Sequence, residues 1–125
     1  AVETITPRLQ STVDASALCK MADRGQITGG VLDGPLAFDN AISTRAASTK
    51  NVISPVAGQA DVLVAPELEA ANMTAKQLMY LAGAEAAGGV LGAQVPIILT
   101  SRADDNRTRA ASAAVAALLS TAQRR

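Results

Sequence analysis

Short apolar segments of β-type composition alternate with segments of helical periodicity along this chain, and this alternation constrains the fold more than any other feature. The β candidates are residues 2–5, 26–32, 61–65, 88–91 and 97–100. The helical candidates are residues 14–24, 36–49, 67–82 and 104–121. Gly25 is predicted to stop the first of them and Gly83 the third, whose apolar inner stripe comprises Leu68, Ala71, Ala75, Leu78 and Met79. The order β-α-β-α-β-α-β-β-α is typical of α/β folds in which flanking helices cover a mostly parallel sheet. We therefore predict an α/β fold, with residues 61–65 as a strand buried on both faces.

Composition narrows the possible partners. A chain of 125 residues can bury one modest core, which predicts one domain or part of a larger one. The 11 basic and 11 acidic residues balance, and with one Phe, one Tyr and no Trp this argues against a nucleic-acid partner. No apolar run approaches the roughly 20 residues of a membrane span, and the first residues lack the pattern of a signal peptide. We expect a cytoplasmic protein without a membrane partner.

The chain contains no histidine, which removes the commonest general base, every His-containing triad and most zinc sites. We predict no metal site. The single cysteine, Cys19, excludes an internal disulfide and fits a reducing compartment. Because Cys19 lies on the apolar stripe of a helical segment with no cation pattern beside it, we interpret it as a small buried side chain rather than a nucleophile.

The segment Thr100-Ser101-Arg102 stands where a β candidate ends and a helical candidate begins. Open α/β folds bind ligands at such places, because free backbone N–H groups and the helix dipole favour anions. The planar guanidinium of Arg102 can hold a phosphate or carboxylate at two points. The alternative is structural: Ser101-x-x-Asp104 also matches a capping box at the helix start. The residues alone leave both interpretations open.

Two other polar groups are candidate ligands with simpler structural explanations. Asp33 precedes Gly34-Pro35, which is the composition of a plain turn, although a carboxylate at a strand end can also bind a ligand. Asn72 follows Glu67 and Glu69 at the start of a helical segment, where acidic residues complement the helix dipole. Lys76, one turn further on, is interpreted as a solvated side chain or a partner of Asn72.

Five motifs resemble, in order, those of the phosphate acetyltransferase/butyryltransferase (phosphotransacetylase) family. They are KMADRGQ at 20–26, DGPLAFDNA at 33–41, SPVAGQADVLV at 54–64, ELEAAN at 67–72 and VPIILTSRAD at 95–104. Each motif is weak by itself, whereas five in the family order extend over nearly the whole chain. The resemblance implies a three-layer sheet with flanking helices, like the second domain of a phosphotransacetylase (isocitrate/isopropylmalate dehydrogenase-like).

The resemblance also implies a C-terminal portion of a longer enzyme. Residues 1–95 then correspond to the second domain of the family, and residues 96–125 to the strand and helix that return to a first domain outside this sequence. Members of the family usually form homodimers, so a symmetric pair is the expected assembly. We expect the 125-residue chain to be inactive by itself.

The activity implied by the resemblance is transfer of an acyl group between acyl-CoA and phosphate, which gives acyl phosphate and CoA. Acyl-CoA is then a substrate, and no covalently bound cofactor is implied. Arg102 is assigned to the phosphate or thioester region, and Ser101 to the reacting carbonyl or the departing sulfur. Thr100, Asp33 and Asn72 are assigned to substrate binding.

The resemblance does not identify a single residue as the general base. Acetyl-specific members carry an acidic residue several positions after the Ser-Arg pair, whereas Thr108 stands there in this chain. Asp104 is assigned as the catalytic acid or base, with Asp105 as the alternative. A function of another class also stays open, a non-catalytic acyl-CoA-sensing or oligomerisation module such as those fused to malic enzymes. The intact Ser101-Arg102 pair favours the enzyme.

Overall fold

The computed structural model describes residues 1–122. The chain divides into an N-terminal unit, Ala1–Glu67, and a C-terminal unit, Leu68–Arg125. The basic residues Arg124 and Arg125, which suit the negative end of a helix dipole, lie outside the described residues. No helix within the described range combines the length and apolar character needed to cross a membrane.

Three helices form the regular structure of the N-terminal unit: α1 (Gln10–Asp23), α2 (Phe38–Ile42) and α3 (Thr44–Thr49). The predicted stop of the first helix is confirmed, because Gly25 adopts φ +71° directly after it. The single helix predicted for residues 36–49 is wrong in one respect. It is interrupted at Ser43, whose Oγ accepts the Ala46 N–H at 3.3 Å and so caps α3.

Helix α1 begins four residues before the predicted start at residue 14 because Thr12 fixes its first turn. The Thr12 side chain is buried, and its Oγ1 accepts the Thr6 N–H at 2.9 Å and lies 2.8 Å from the Leu9 carbonyl oxygen. The hydroxyl therefore ties the preceding segment to the helix. A threonine next to polar residues carries little apolar periodicity, so the pattern of hydrophobic positions missed this turn.

The segment 2–5, predicted as a strand, is held by side chains instead. Glu3 Oε2 accepts a hydrogen bond from Nδ2 of the buried Asn40 at 3.2 Å. The ammonium of Lys50 lies 3.7 Å from the same carboxylate oxygen and 3.0 Å from Asp39. This polar cluster fastens the start of the chain to α2 and to the residue that follows α3, and it replaces the predicted strand pairing.

The strands predicted at residues 26–32 and 61–65 do not form within the described part of the chain. Residues 61–65 were expected to be buried on both faces, but Val62 is 78% and Val64 is 83% exposed. A strand needs a neighbouring backbone to satisfy its N–H and C=O groups. No such neighbour lies beside these segments among residues 1–122, which is why apolar composition alone did not produce strands.

The C-terminal unit contains α4 (Leu68–Ala82), β1 (Gly89–Val90), β2 (Ile97–Ile98) and α5 (Asn106–Ala122). Strands β1 and β2 pair antiparallel, with Gly89 opposite Ile98 and Val90 opposite Ile97. This pair is the whole sheet of residues 1–122, so the mostly parallel order expected from the alternation is wrong for these two strands. The wider three-layer sheet stays a prediction.

Helix α5 packs on both short strands and buries Ser112 and Ala116. Helix α4 is confirmed over the predicted range and ends before Gly83, which adopts φ +66°. However, within its own unit α4 packs on neither strand nor on α5, and Leu68 of its predicted inner stripe is 80% exposed. The periodicity identified the helix correctly, but the surface that its apolar stripe would cover is not in this unit.

Candidate functional site

The Thr-Ser-Arg segment forms a tight turn between β2 and α5. The Ser101 N–H donates to Oδ2 of Asp104 at 2.6 Å, and the Asp104 N–H donates to the Ser101 carbonyl oxygen at 3.2 Å. The Ser101 Oγ accepts the Ala103 N–H at 3.4 Å. Of the expected capping box, the bond from the Ser101 N–H to the Asp104 side chain is therefore present, but it closes a turn that precedes the helix.

The helix itself starts at Asn106, and Asp105 caps it. The Oδ1 atom of Asp105 accepts the backbone N–H of Thr108 at 2.8 Å, the usual contact from the cap to the third helical residue. The interpretation of Ser101 as the cap, with a helix from residue 104, is thus wrong by one turn of chain. Hydrogen bonding from Thr108 lowers the pKa of Asp105, with a smaller contribution from the charge of Arg107.

Replacing Asp105 with alanine is expected to lower the midpoint of thermal unfolding modestly at pH 7, because the first turn of α5 loses its acceptor. Asp105→Asn is the matched control, since an amide oxygen also caps helices. Because the folded-state pKa is lowered, the stabilisation is complete above the unfolded-state pKa of about 4 and is lost as the pH falls through the folded-state pKa. Equal unfolding midpoints for wild type and Asp105→Ala at pH 7 would contradict the assignment.

Arg102 is the functional candidate that the turn leaves free. Its side chain is exposed and forms no hydrogen bond or ion pair with any other residue in the range 1–122. Two other arginines nearby are engaged: Arg107 pairs with Glu85, and Arg109 donates to backbone carbonyls. Thr100 and Ser101 are half-buried beside Arg102. The turn therefore presents an exposed guanidinium next to a hydroxyl, a combination suited to binding an oxyanion.

Sequence reasoning missed Ser112, which joins α5 to the strand pair. Its buried hydroxyl accepts the Gly88 N–H at 3.0 Å and donates to the Thr108 carbonyl oxygen at 2.7 Å. The Gly88 carbonyl oxygen in turn accepts the Leu99 N–H at 3.1 Å. Ser112 thus acts through Gly88 on the residue that directly precedes Thr100. A lone serine among alanines of a helical segment was the only signal in the sequence.

The remaining predicted ligands, Asp33 and Asn72, lie on other segments of the chain. Asp33 belongs to the N-terminal unit and accepts the Gly34 N–H at 2.9 Å, as the turn interpretation expects. Asn72 is exposed on α4, on a face that also carries Met73, Lys76 and Tyr80. The Lys76 ammonium lies 6.0 Å from the Tyr80 ring centroid, a cation–π geometry.

Neither Cys19 nor a metal-binding cluster provides a second candidate site among the described residues. The Cys19 Sγ lies 3.6 Å from the Gly34 carbonyl oxygen. Partial burial raises the pKa of the Cys19 thiol, and the nearby carboxylates of Asp33 and Asp23 raise it further. The thiol is therefore protonated at neutral pH and a poor nucleophile. Among residues 1–122, no group of three or more His, Cys, Asp or Glu side chains is arranged to hold a metal ion.

Comparison with known proteins places nearly all of the described chain in one family. A family model described as "Phosphate acetyl/butaryl transferase" matches residues 1–117. The chain is 65% identical to a phosphate acetyltransferase of Rhizobium meliloti, over 99% of this chain. It is 52% identical to a phosphate butyryltransferase of Clostridium beijerinckii, over 94% of this chain.

A solved structure gives the same result. The crystal structure of a branched-chain phosphotransacylase from Enterococcus faecalis V583 superposes with a TM-score of 0.80 at 32% identity, covering 94% of this chain and 42% of that chain. The chain spans 39% of the length of each of the two relatives named above. The five ordered motifs, the family model and the superposition agree, and this chain belongs to the phosphate acetyl/butyryl transferase family.

Proposed function

We propose that this chain contributes to a phosphate acyltransferase, as part of a longer protein that we call the full-length protein. The reaction is acyl-CoA plus phosphate giving acyl phosphate plus CoA. The observation that carries the proposal is the unpaired guanidinium of Arg102 beside the half-buried Ser101. It lies within a chain 65% identical to a phosphate acetyltransferase.

The chemistry requires an anion to be brought to an electrophilic carbonyl. Phosphate oxygen attacks the thioester carbon, the C–S bond breaks, and the proton of hydrogen phosphate is transferred to the departing CoA sulfur. Arg102 suits the first task, because a guanidinium binds two phosphate oxygens and neutralises their charge during attack. The Ser101 hydroxyl accepts only the long Ala103 contact, so its own hydrogen is free to bond the developing oxyanion or the sulfur.

Asp104 is the better placed of the two candidate bases. One oxygen of Asp105 is engaged as the helix cap. Asp104 uses Oδ2 to hold the Ser101 N–H, whereas its Oδ1 makes no hydrogen bond within the described chain. This free oxygen lies on the same turn as Ser101 and Arg102. We assign Asp104 to accept the phosphate proton and to pass it to the departing CoA sulfur, while Thr100, Asp33 and Asn72 contact substrate in the assembled protein.

The exposed apolar segments support the proposal that this chain is part of a larger folded protein. Val62, Val64 and Leu99 are 78%, 83% and 62% exposed, although they stand in segments of strand composition. In the full-length protein these segments would join the three-layer, mostly parallel sheet of the family. Residues 1–95 would then belong to the second domain and residues 96–125 would return to the first. We further propose a cytoplasmic homodimer with acyl-CoA as a substrate and no covalently bound cofactor.

The full-length protein is expected to release CoA from acetyl-CoA or butyryl-CoA only when phosphate is present, and the released thiol is followed with a thiol reagent. The separate 125-residue chain is expected to be inactive in the same assay. Absence of phosphate-dependent release with every short acyl-CoA would refute the proposed reaction. Tight acetyl-CoA binding by the full-length protein without turnover would instead favour an acyl-CoA-sensing module.

A further inference from the structure

Arg109 contacts the candidate turn from the first part of α5. Its Nε donates to the Asp104 carbonyl oxygen at 3.1 Å, and its Nη2 lies 3.4 Å from the Ser101 carbonyl oxygen. These two carbonyls belong to the first and last residues of the turn. A single guanidinium therefore bridges the carbonyl oxygens at both ends of the turn. The Asp104 carboxylate closes the same turn by accepting the Ser101 N–H.

The geometry of this contact is specific to arginine. A guanidinium carries donors on different nitrogens in one rigid plane, so it can bond two carbonyls whose separation is fixed. A lysine ammonium carries the same charge on one atom and lacks this span. The neighbouring Arg107 is equally cationic, but it is directed to Glu85 and makes no hydrogen bond to the turn.

We infer that Arg109 is a positioning residue that holds the Ser101–Asp104 turn in its reactive shape. This inference rests on the proposed acyltransferase function. By occupying two backbone carbonyls, Arg109 fixes the backbone from which the Ser101 hydroxyl and the Arg102 guanidinium project. Catalytic groups that are held in place before substrate arrives avoid an ordering cost during the reaction. Arg109 itself needs no contact with phosphate or acyl-CoA in this role.

The test compares Arg109→Met, Arg109→Lys and the control Arg107→Met in the full-length protein. We expect Arg109→Met to lower kcat by about 10- to 100-fold, since small misplacements of reacting groups have effects of this size. The KM for acyl-CoA should change little. Arg109→Lys should lose nearly as much kcat as Arg109→Met, because the charge without the planar span does not restore the turn. Arg107→Met should keep wild-type kcat.

A second measurement does not depend on activity. Amide hydrogen exchange at Ser101, Ala103 and Asp104 should accelerate in both Arg109 variants and stay unchanged in Arg107→Met. Unchanged exchange in Arg109→Met would overturn the inference, whether or not the wild type has transferase activity. Absence of transferase activity in the wild type would by itself refute only the proposed function. Full kcat in Arg109→Met, or full restoration by Arg109→Lys, would overturn the positioning role while leaving the acyltransferase intact.

Discussion

Replacing Arg102 with alanine in the full-length protein is expected to lower turnover by on the order of 10²–10³-fold, the size of loss seen when one hydrogen-bond donor that stabilises charge in the transition state is removed. The guanidinium is exposed and bonds no other residue in the described chain, so its loss removes no internal contact. The midpoint of thermal unfolding should therefore stay at the wild-type value. The measurement is steady-state CoA release at several phosphate concentrations, with unfolding followed by circular dichroism.

Arg107→Ala is the matched control for that variant. Arg107 lies five residues further along the chain, is also exposed, and pairs with Glu85. If general positive charge near the start of α5 attracted phosphate, both substitutions would weaken activity alike. Wild-type turnover in Arg102→Ala, or an equal loss in the two variants, would contradict the role given to Arg102.

Substituting alanine for Gly88 is expected to have the largest structural effect. A Cβ at residue 88 would meet the Leu99 carbonyl oxygen well inside van der Waals contact, so the backbone of the strand pair would have to move apart. The Leu99 N–H bond to Gly88 at 3.1 Å and the Gly88 N–H bond to Ser112 at 3.0 Å would both be strained. We expect a loss of roughly 1–3 kcal/mol in the free energy of unfolding, the typical cost when an added methyl group forces the backbone to shift. Turnover should fall as well, because Leu99 directly precedes Thr100.

Gly89→Ala is the control for this position. Its added Cβ would lie 3.5 Å from the Ile97 carbonyl oxygen, which is ordinary contact. Denaturant unfolding of both variants in the full-length protein gives the two free energies. A Gly88→Ala protein as stable as Gly89→Ala would show that the strand pair does not depend on the close approach at Gly88.

The helices were predictable because their signals are local. Apolar periodicity and a following glycine in a left-handed conformation located α1 and α4, with Gly25 and Gly83 at their ends. The strands were less predictable, because a strand exists only where another strand lies beside it. Residues 61–65 have the composition of a buried strand, but the described chain provides no partner for their backbone groups. Among the described residues, only 89–90 and 97–98 form strands, because each pairs with the other.

In the candidate site, too, local features were predictable from the sequence and contacts between distant residues were not. The Thr100-Ser101-Arg102 turn was predicted from a strand end, a helix start and the character of arginine. The alternative interpretation placed the cap at Ser101 rather than at Asp105, because Ser-x-x-Asp fits a capping box equally well when its two residues close a separate turn. Ser112 and Arg109 were missed because their partners lie up to 24 residues away in sequence and are brought together only by the packing of α5.

The most direct test of the central claim is the fate of phosphate during turnover. The full-length protein is incubated with acetyl-CoA and phosphate labelled with ¹⁸O at every oxygen, and the products are followed by ³¹P NMR. Attack by phosphate on the thioester predicts acetyl phosphate that retains all of its labelled oxygens, formed in equal amount to the CoA released. Release of CoA with the labelled phosphate left unchanged, or no reaction with acetyl-CoA and none with butyryl-CoA in its place, would contradict the assignment of this chain to phosphate acyl transfer.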